Sequence, residues 1–71
     1  MKDLEVNRAF AKNLKALREQ HNLSLRILGE EIGISYQSLN YYENCQRDPS
    51  ITTVKKIADY FGKTVDEMIG E

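Results

Sequence analysis

Several residue types are scarce in this sequence of 71 residues, and each scarcity excludes a class of protein. The chain has no tryptophan and one each of cysteine, histidine and proline. A single cysteine, Cys45, excludes a disulfide within the chain. With His21 as the one histidine, the set of soft ligands that a structural zinc site needs is missing. We therefore expect neither a metal site nor a bound cofactor.

Long apolar runs are also missing. No apolar segment approaches the about 20 residues that a membrane-spanning helix needs. Residues 1–6 form a short segment of mixed charge, unlike a signal peptide. We expect a cytoplasmic protein without a membrane contact.

The sequence also lacks an excess of basic charge. Ten lysines and arginines stand against eleven aspartates and glutamates, which gives a net charge of −1. This balance argues against a protein that coats nucleic acid through bulk charge, so any such contact must come from local geometry. A chain of this length also builds only a small core, and self-association remains open as a further source of stability.

Apolar residues recur at helical spacing and predict a compact all-α fold of five helices. The helices are expected at residues 7–21, 24–32, 35–43 and 50–61, and from residue 64 onward, where Thr64 and Glu67 have the spacing of a capping box. No linker divides the chain, so residues 1–71 form one domain, with an N-terminal arm at 1–6 and a helical core at 7–69. The residues expected inside are Phe10, Leu14, Leu17, Leu28, Ile32, Ile34, Leu39, Tyr42, Ile51, Val54, Ile57, Ala58, Phe61, Val65, Met68 and Ile69.

The second and third helices are short and are joined by a tight turn. Ser24 and Ser35 are suitable N-caps, because a serine hydroxyl can accept a hydrogen bond from a free N–H of the first turn. Gly33 lies between the two helices, where a positive φ is easy for a residue without Cβ. This pattern predicts a helix-turn-helix, whose second helix fits the major groove of DNA.

With this order of elements, the sequence resembles the helix-turn-helix family of lambda-type phage repressors and xenobiotic-response-element regulators. The segments that match are LKALRE, NLS, GIS, LNYYEN, RDPS and VKKIADYFGKTVDEMI, which together fall within about residues 10–69. The resemblance implies a lambda-repressor-like DNA-binding domain.

Three residues depart from the family pattern. Leu25 replaces a glutamine that contacts phosphate, and leucine cannot donate a hydrogen bond. Gly29 replaces an alanine and keeps the close approach of the two helices. Cys45 replaces a glycine, and a left-handed conformation there would cost roughly 1–2 kcal/mol. Either the loop differs from that of the family or Asn44 takes the left-handed conformation.

By resemblance, the exposed side of the third helix faces the edges of the bases with Tyr36, Gln37, Asn40 and Tyr41. Glutamine and asparagine can pair bidentately with adenine, and a tyrosine ring can contact the thymine methyl group. Gln37 is the strongest candidate. The alternative is a set of polar side chains that are only solvated.

Phosphate contacts are expected from a second set of residues around the two helices. These are Ser24, Arg26, Ser35, Ser38, Asn44, Gln46 and Arg47. The alternatives are capping alone for the serines and, for Arg47, an ordinary surface charge beside Asp48. Arg18 and Glu43 match a family ion pair that supports the third helix structurally.

Other reactive side chains are given ordinary roles. His21 is expected to interact with the dipole at the end of the first helix, and Cys45 to be a plain loop thiol rather than an oxidant sensor. Glu30 and Glu31 are adjacent and point in different directions on a helix, so they make a poor catalytic pair. We expect no enzyme.

Two functional hypotheses follow. The first is a sequence-specific transcriptional regulator, a repressor that binds a two-fold related operator as a homodimer, with recognition helices about 34 Å apart. Dimerisation would use the fifth helix, with Met68 and Ile69, or form only on DNA, and no separate ligand-binding domain is expected.

The second hypothesis is a protein-interaction module, antitoxin-like or antirepressor-binding, with weak or no specific DNA binding. The pair Leu25 and Ile27 would form an apolar spot for a protein partner, or would cover the first helix or the loop.

Overall fold

Five α-helices account for most of residues 4–70, the part of the chain that the computed structural model describes. They are α1 (Leu4–Gln20), α2 (Leu25–Ile32), α3 (Tyr36–Glu43), α4 (Ile51–Tyr60) and α5 (Val65–Ile69). The all-α fold with five helices is confirmed, and the described residues contain no strand.

The first helix begins earlier than predicted. Residues 4–6, expected in an N-terminal arm, form the first turn of α1. Glu5 in that turn favours the helix, because a carboxylate interacts well with the positive end of the helix dipole. The rest of the predicted arm, residues 1–3, lies outside the described residues.

Hydroxyl side chains begin four of the helices. Ser24, Ser35, Ser50 and Thr64 each accept a hydrogen bond from the backbone N–H three residues on. Thr64 also completes the predicted capping box, since its own N–H donates to Oε1 of Glu67 at 2.9 Å. These local bonds fix where the helices start and satisfy N–H groups that would otherwise lack partners.

The capping box makes α5 sensitive to acid. The hydrogen bond from the backbone N–H of Thr64 holds the pKa of Glu67 below its ordinary value of 4.5. Because this pKa is depressed in the folded state, the stabilisation is present above about pH 4.5 and is lost as the pH falls through the folded pKa. NMR should show Glu67 titrating with a midpoint below 4.5, and the Thr64 amide resonance should follow the same midpoint. Glu67→Gln should remove that titration from the Thr64 resonance, and a midpoint at or above 4.5 would contradict the capping box.

The core lies where α1 meets α3 and α5, and α2 meets α3 and α4. Each helix contributes at least one fully buried side chain, namely Phe10, Leu14, Leu28, Leu39, Val54, Ile57 and Met68. The expected core is confirmed except at Ile51, which is 59% exposed. Ile51 is the first residue of α4, and the inward face of that helix is covered only from Val54 onward.

Met68 is fully buried, which limits how α5 could contact a second copy of the chain. Of the two residues expected in a dimer interface, Ile69 alone keeps part of its surface exposed. The end of α5 is tied to α1 by Asn13, whose amide nitrogen donates to the carbonyls of Met68 at 2.8 Å and Gly70 at 3.0 Å. The expectation that Met68 contributes to a dimer contact is therefore wrong.

Candidate nucleic-acid interface

The turn between α2 and α3 is held by the backbone of Gly29. Its carbonyl accepts hydrogen bonds from the N–H groups of Gly33 at 2.9 Å and Ile34 at 3.1 Å. Gly33 has the predicted positive φ, 71°. A Cβ at Gly29 would lie 2.5 Å from the carbonyl oxygen of Ile34 and 3.2 Å from the backbone nitrogen of Tyr36. The two helices therefore approach more closely here than a residue with a Cβ would permit.

The four predicted base-contacting residues lie together on the exposed side of α3. Tyr36, Gln37, Asn40 and Tyr41 are all exposed, and with Leu25 they line one cleft of about 300 Å³. Leu39, on the opposite side of α3, is fully buried and anchors the helix to the core. The side of α3 that faces away from the core is thus a continuous surface of amides and phenols.

Two arginines stack on the tyrosines of this surface. The guanidinium carbon of Arg26 lies 4.9 Å from the ring centroid of Tyr36, and that of Arg47 lies 4.7 Å from the ring centroid of Tyr41. Such cation–π contacts favour a fixed position for both partners. They bring positive charge to both ends of α3. Sequence reasoning proposed all four residues as DNA contacts but missed these pairings, because no sequence spacing connects α2 or the loop with a position on α3.

The side-chain amides of Asn40 and Gln37, both on α3, differ in whether they already form hydrogen bonds within the protein. The amide of Asn44 donates to the side-chain oxygen of Asn40 at 3.1 Å and to its backbone carbonyl at 2.9 Å. Among residues 4–70, no hydrogen bond engages the side chain of Gln37. Of the two amides on the exposed side of α3, that of Gln37 is therefore more available to a new partner than that of Asn40.

The predicted phosphate-contacting residues surround this surface, in two kinds of environment. Ser24 and Ser35 act as N-caps, with their Oγ atoms accepting from Ile27 at 3.0 Å and Ser38 at 3.1 Å. Ser38 is half-buried, and its Oγ accepts a hydrogen bond from the hydroxyl of Ser35 at 2.9 Å. Arg26, Asn44, Gln46 and Arg47 are exposed; the two arginines stack on tyrosine rings, and the amide of Asn44 donates to Asn40.

The predicted pair of Arg18 and Glu43 is formed and joins α1 to the end of α3. Nε and Nη2 of Arg18 donate to the two carboxylate oxygens of Glu43 at 2.7 and 3.0 Å, and Nη1 donates to the carbonyl of Leu23 at 2.9 Å. The side chains are only 15% and 5% exposed. The hydrogen bond with Glu43 raises the pKa of Arg18 above its ordinary value. This contact fixes the pose of α3 from its C-terminal end.

The loop after α3 differs from both expected alternatives. Cys45 itself takes the left-handed conformation, with φ 55°, whereas Asn44 has φ −101°. Two backbone hydrogen bonds explain this, from Cys45 to Tyr42 at 3.2 Å and from Gln46 to Tyr41 at 2.8 Å. They satisfy the last carbonyls of α3, as a left-handed residue does at many helix ends. The loop keeps the shape that glycine would give it and carries the strain of a Cβ.

Relief of this strain should be measurable. Cys45→Gly is expected to raise the free energy of unfolding by about 1 kcal/mol, since the left-handed conformation costs roughly 1–2 kcal/mol and the greater freedom of glycine in the unfolded chain offsets part of it. Urea denaturation followed by circular dichroism would measure the change. Cys45→Ala is the control, because it also removes the thiol but keeps the Cβ, and it should give no comparable gain. Equal stabilities of the two variants would contradict the strain.

Leu25 and Ile27 do not form a shared apolar spot. Leu25 is half-buried, packs against the core and lines the cleft beside α3, whereas Ile27 is 45% exposed. Residues two apart on a helix point in different directions, so the two side chains diverge. The expected docking spot for a protein partner is wrong in this form.

The remaining reactive side chains are in ordinary contacts. The ring of His21 lies 5.2 Å from that of Phe61. The hydroxyl of Tyr60 donates to Oε1 of Glu31 at 3.2 Å, which directs that carboxylate towards α4. Residues 4–70 contain no cluster of three side chains able to hold a metal ion. None of the helices in the same range is long and apolar enough to cross a membrane.

Residues 14–68 match a family model described as helix-turn-helix. The chain belongs to the helix-turn-helix family. Over 55 residues it is 34% identical to the uncharacterized HTH-type transcriptional regulator MJ0272 of Methanocaldococcus jannaschii, a match that covers 78% of this chain and 83% of that protein. Over 57 residues it is 35% identical to the HTH-type transcriptional regulator AnsR of Bacillus subtilis, covering 80% of this chain and 49% of AnsR. The chain thus spans about half the length of AnsR.

Solved structures share the helix-turn-helix fold. The hypothetical transcription factor NHTF from Neisseria superposes with a TM-score of 0.85 at 17% identity, over 97% of this chain and 77% of that one. The hydroxypropylphosphonic acid epoxidase of S. wedmorenis gives 0.84 at 22% identity, over 96% of this chain and 36% of the epoxidase. At these identities the likeness concerns the fold alone, and the same five-helix unit occurs in a longer protein that is an enzyme.

Proposed function

We propose that this chain is a sequence-specific DNA-binding regulator of transcription, a repressor that binds a two-fold related operator as a homodimer. The observation that carries the proposal is the exposed side of α3, where the unengaged amide of Gln37 lies in one cleft with two tyrosines that arginines hold in place. Amide groups on an exposed helix of this kind can read the edges of base pairs in the major groove.

The charge of this surface supports DNA rather than a neutral partner. Arg26 and Arg47 are exposed at the two ends of α3, while Glu43, the acidic residue of α3, is neutralised by Arg18. The N-termini of α2 and α3 add backbone N–H groups, which favour phosphate through their direction and the helix dipole. A chain with net charge −1 can in this way present a locally positive face.

Dimerisation on the operator would increase specificity, because a dimer contacts two half-sites and so reads twice as many base pairs as one small domain. Two copies would place their α3 helices in successive major grooves about 34 Å apart. Of Met68 and Ile69, only Ile69 keeps exposed surface for a contact between copies, since Met68 is buried. A promoter that overlaps such an operator would be occluded.

This function needs no cofactor and no catalysis, and the AnsR and MJ0272 proteins, named as transcriptional regulators, support a regulator rather than an enzyme. A regulator of transcription works in the compartment that holds the DNA, so the cytoplasmic location is part of the proposal. The alternative of an antitoxin-like or antirepressor-binding module has less support, because the apolar spot that favoured it is not formed.

The experiment that tests the proposal is selection from a random duplex library by the purified protein at moderate salt, followed by sequencing of the retained DNA. We expect a two-fold repeated motif, bound with an affinity that falls steeply as salt rises, because phosphate contacts release counterions. A folded protein that enriches no sequence would contradict the proposal.

Gln37→Ala should weaken binding to the selected operator by about 1–3 kcal/mol, because one bidentate contact to a base is lost. The loss should be confined to sequences that carry the preferred base at one position of each half-site. Fluorescence anisotropy on single-base variants of the operator would measure it. Gln20→Ala, which removes an exposed glutamine of α1, is the matched control and should leave the affinity unchanged. An equal loss on every DNA sequence would contradict base recognition by Gln37.

A further inference from the structure

One wall of the cleft beside α3 is apolar, because it is formed by a leucine at the first position of α2. Leu25, the first residue of α2, lines this cleft together with Tyr36, Gln37, Asn40 and Tyr41. It is half-buried and packs against the core, so its position is fixed. A leucine cannot contact phosphate through a hydrogen bond. At this position it can offer a partner only an apolar contact.

The arginines leave the cleft itself free of charge. Arg26 and Arg47 cover part of the rings of Tyr36 and Tyr41, but neither arginine lines the cleft. The lining consists of one aliphatic side chain, two aromatic rings and two amides. This combination suits a flat group that is apolar at one edge and forms hydrogen bonds at another.

In the major groove one feature of the base pairs is apolar, the methyl group at C5 of a pyrimidine. Thymine carries it, and 5-methylcytosine carries the same group. The cleft, at about 300 Å³, has room for a group as small as a methyl.

We propose that this cleft binds the C5-methyl group of a thymine in the operator, with Leu25 as a specificity-determining residue. The inference rests on the proposed function and names what the recognition surface reads. The amide of Gln37 favours adenine, and each adenine is paired with a thymine. Recognition of cytosine would use a carboxylate as acceptor, but Glu43 on α3 is bound to Arg18 and 5% exposed. Thymine is therefore the source of the methyl group.

The test changes the DNA and leaves the protein intact. Each thymine of the selected operator is replaced in turn by deoxyuridine, which lacks only the methyl group. At one thymine in each half-site we expect about fourfold weaker binding, the factor that corresponds to one buried methyl or methylene group. In a second arm, each cytosine is replaced by 5-methylcytosine, and no gain of similar size is expected.

Two protein variants connect the effect to Leu25. With Leu25→Ala, the ratio of affinities for the thymine and deoxyuridine operators should fall from about fourfold to less than twofold. Ile27→Ala is the matched control, because Ile27 is exposed on the same helix and does not line the cleft, and it should keep the full ratio. Thermal unfolding followed by circular dichroism would establish that both variants are folded.

The outcomes separate this inference from the function on which it rests. A library selection that yields no preferred sequence overturns both. A specific operator that binds equally well with deoxyuridine at every position overturns the inference alone. The inference is also overturned if 5-methylcytosine strengthens binding while deoxyuridine has no effect, or if Leu25→Ala keeps the fourfold ratio.

Discussion

Glu43→Ala should lower the free energy of unfolding by up to about 3–5 kcal/mol, which is the cost of removing one partner from a fully buried ion pair, whereas this pair is partly buried. The variant would leave the guanidinium of Arg18, 15% exposed, without the two carboxylate oxygens that it contacts at 2.7 and 3.0 Å. Desolvation of Arg18 would then be compensated only by the carbonyl of Leu23. A domain of this size has only a few kcal/mol of net stability, so the variant should lose a large part of it and unfold at a much lower urea concentration. Urea denaturation followed by circular dichroism measures the loss.

The chain offers a control for this effect. Lys55 and Asp59 form an exposed pair on α4, with their nitrogen and oxygen 3.5 Å apart and side chains 68% and 65% exposed. Asp59→Ala should change stability by no more than about 0.5 kcal/mol, because exposed pairs are screened by water. If Glu43→Ala is as mild as Asp59→Ala, the pair does not hold α3 against α1.

Gly29→Ala should destabilise the domain and displace the start of α3. The new methyl group would lie 2.5 Å from the carbonyl oxygen of Ile34, an atom of the backbone that cannot rotate away. Overpacking of this kind typically costs about 1–3 kcal/mol. Alanine is the better helix former by about 1 kcal/mol, which offsets only part of the cost. Because Tyr36 lies against the same methyl group, operator affinity should fall as well.

Thermal unfolding and anisotropy on the selected operator would measure the two effects of Gly29→Ala. Glu30→Ala is the matched control, since it changes the next residue of α2, which is exposed, and should alter stability by no more than about 0.5 kcal/mol. A Gly29→Ala protein as stable as the original would show that the turn can open without cost, and the close approach would then not position α3.

Most of the fold could be predicted from the sequence, because local rules determine it. Ser24, Ser35, Ser50 and Thr64 act as helix caps through bonds to residues three positions on, and such bonds depend on neighbours in the chain. Features that depend on which element covers a residue could not be predicted in the same way. Ile51 has the spacing of an inward residue, yet nothing covers it at the start of α4.

In the interface, too, some features follow from local rules and others depend on how the elements pack. Residues 36, 37, 40 and 41 share one side of α3 because of the helical period, and the sequence alone predicted that group. The two arginine stacks and the place of Leu25 in the cleft depend on how α2 and the loop after α3 lie against α3. The close approach at Gly29 determines how α2 lies against α3, and the left-handed Cys45 contributes to how the loop after α3 lies against that helix. Neither arrangement follows from a local pattern in the sequence.

Under the proposed function, the exposed side of α3 reads DNA. Titration of the isotope-labelled protein with the selected operator, followed by NMR of the backbone and side-chain amides, tests it most directly. We expect the largest changes at Tyr36, Gln37, Asn40 and Tyr41, including the side-chain amide of Gln37, with smaller changes at the first turn of α2 and in the loop that carries Arg47. Changes confined to the surface between α1 and α5, with the resonances of α3 unmoved, would contradict it.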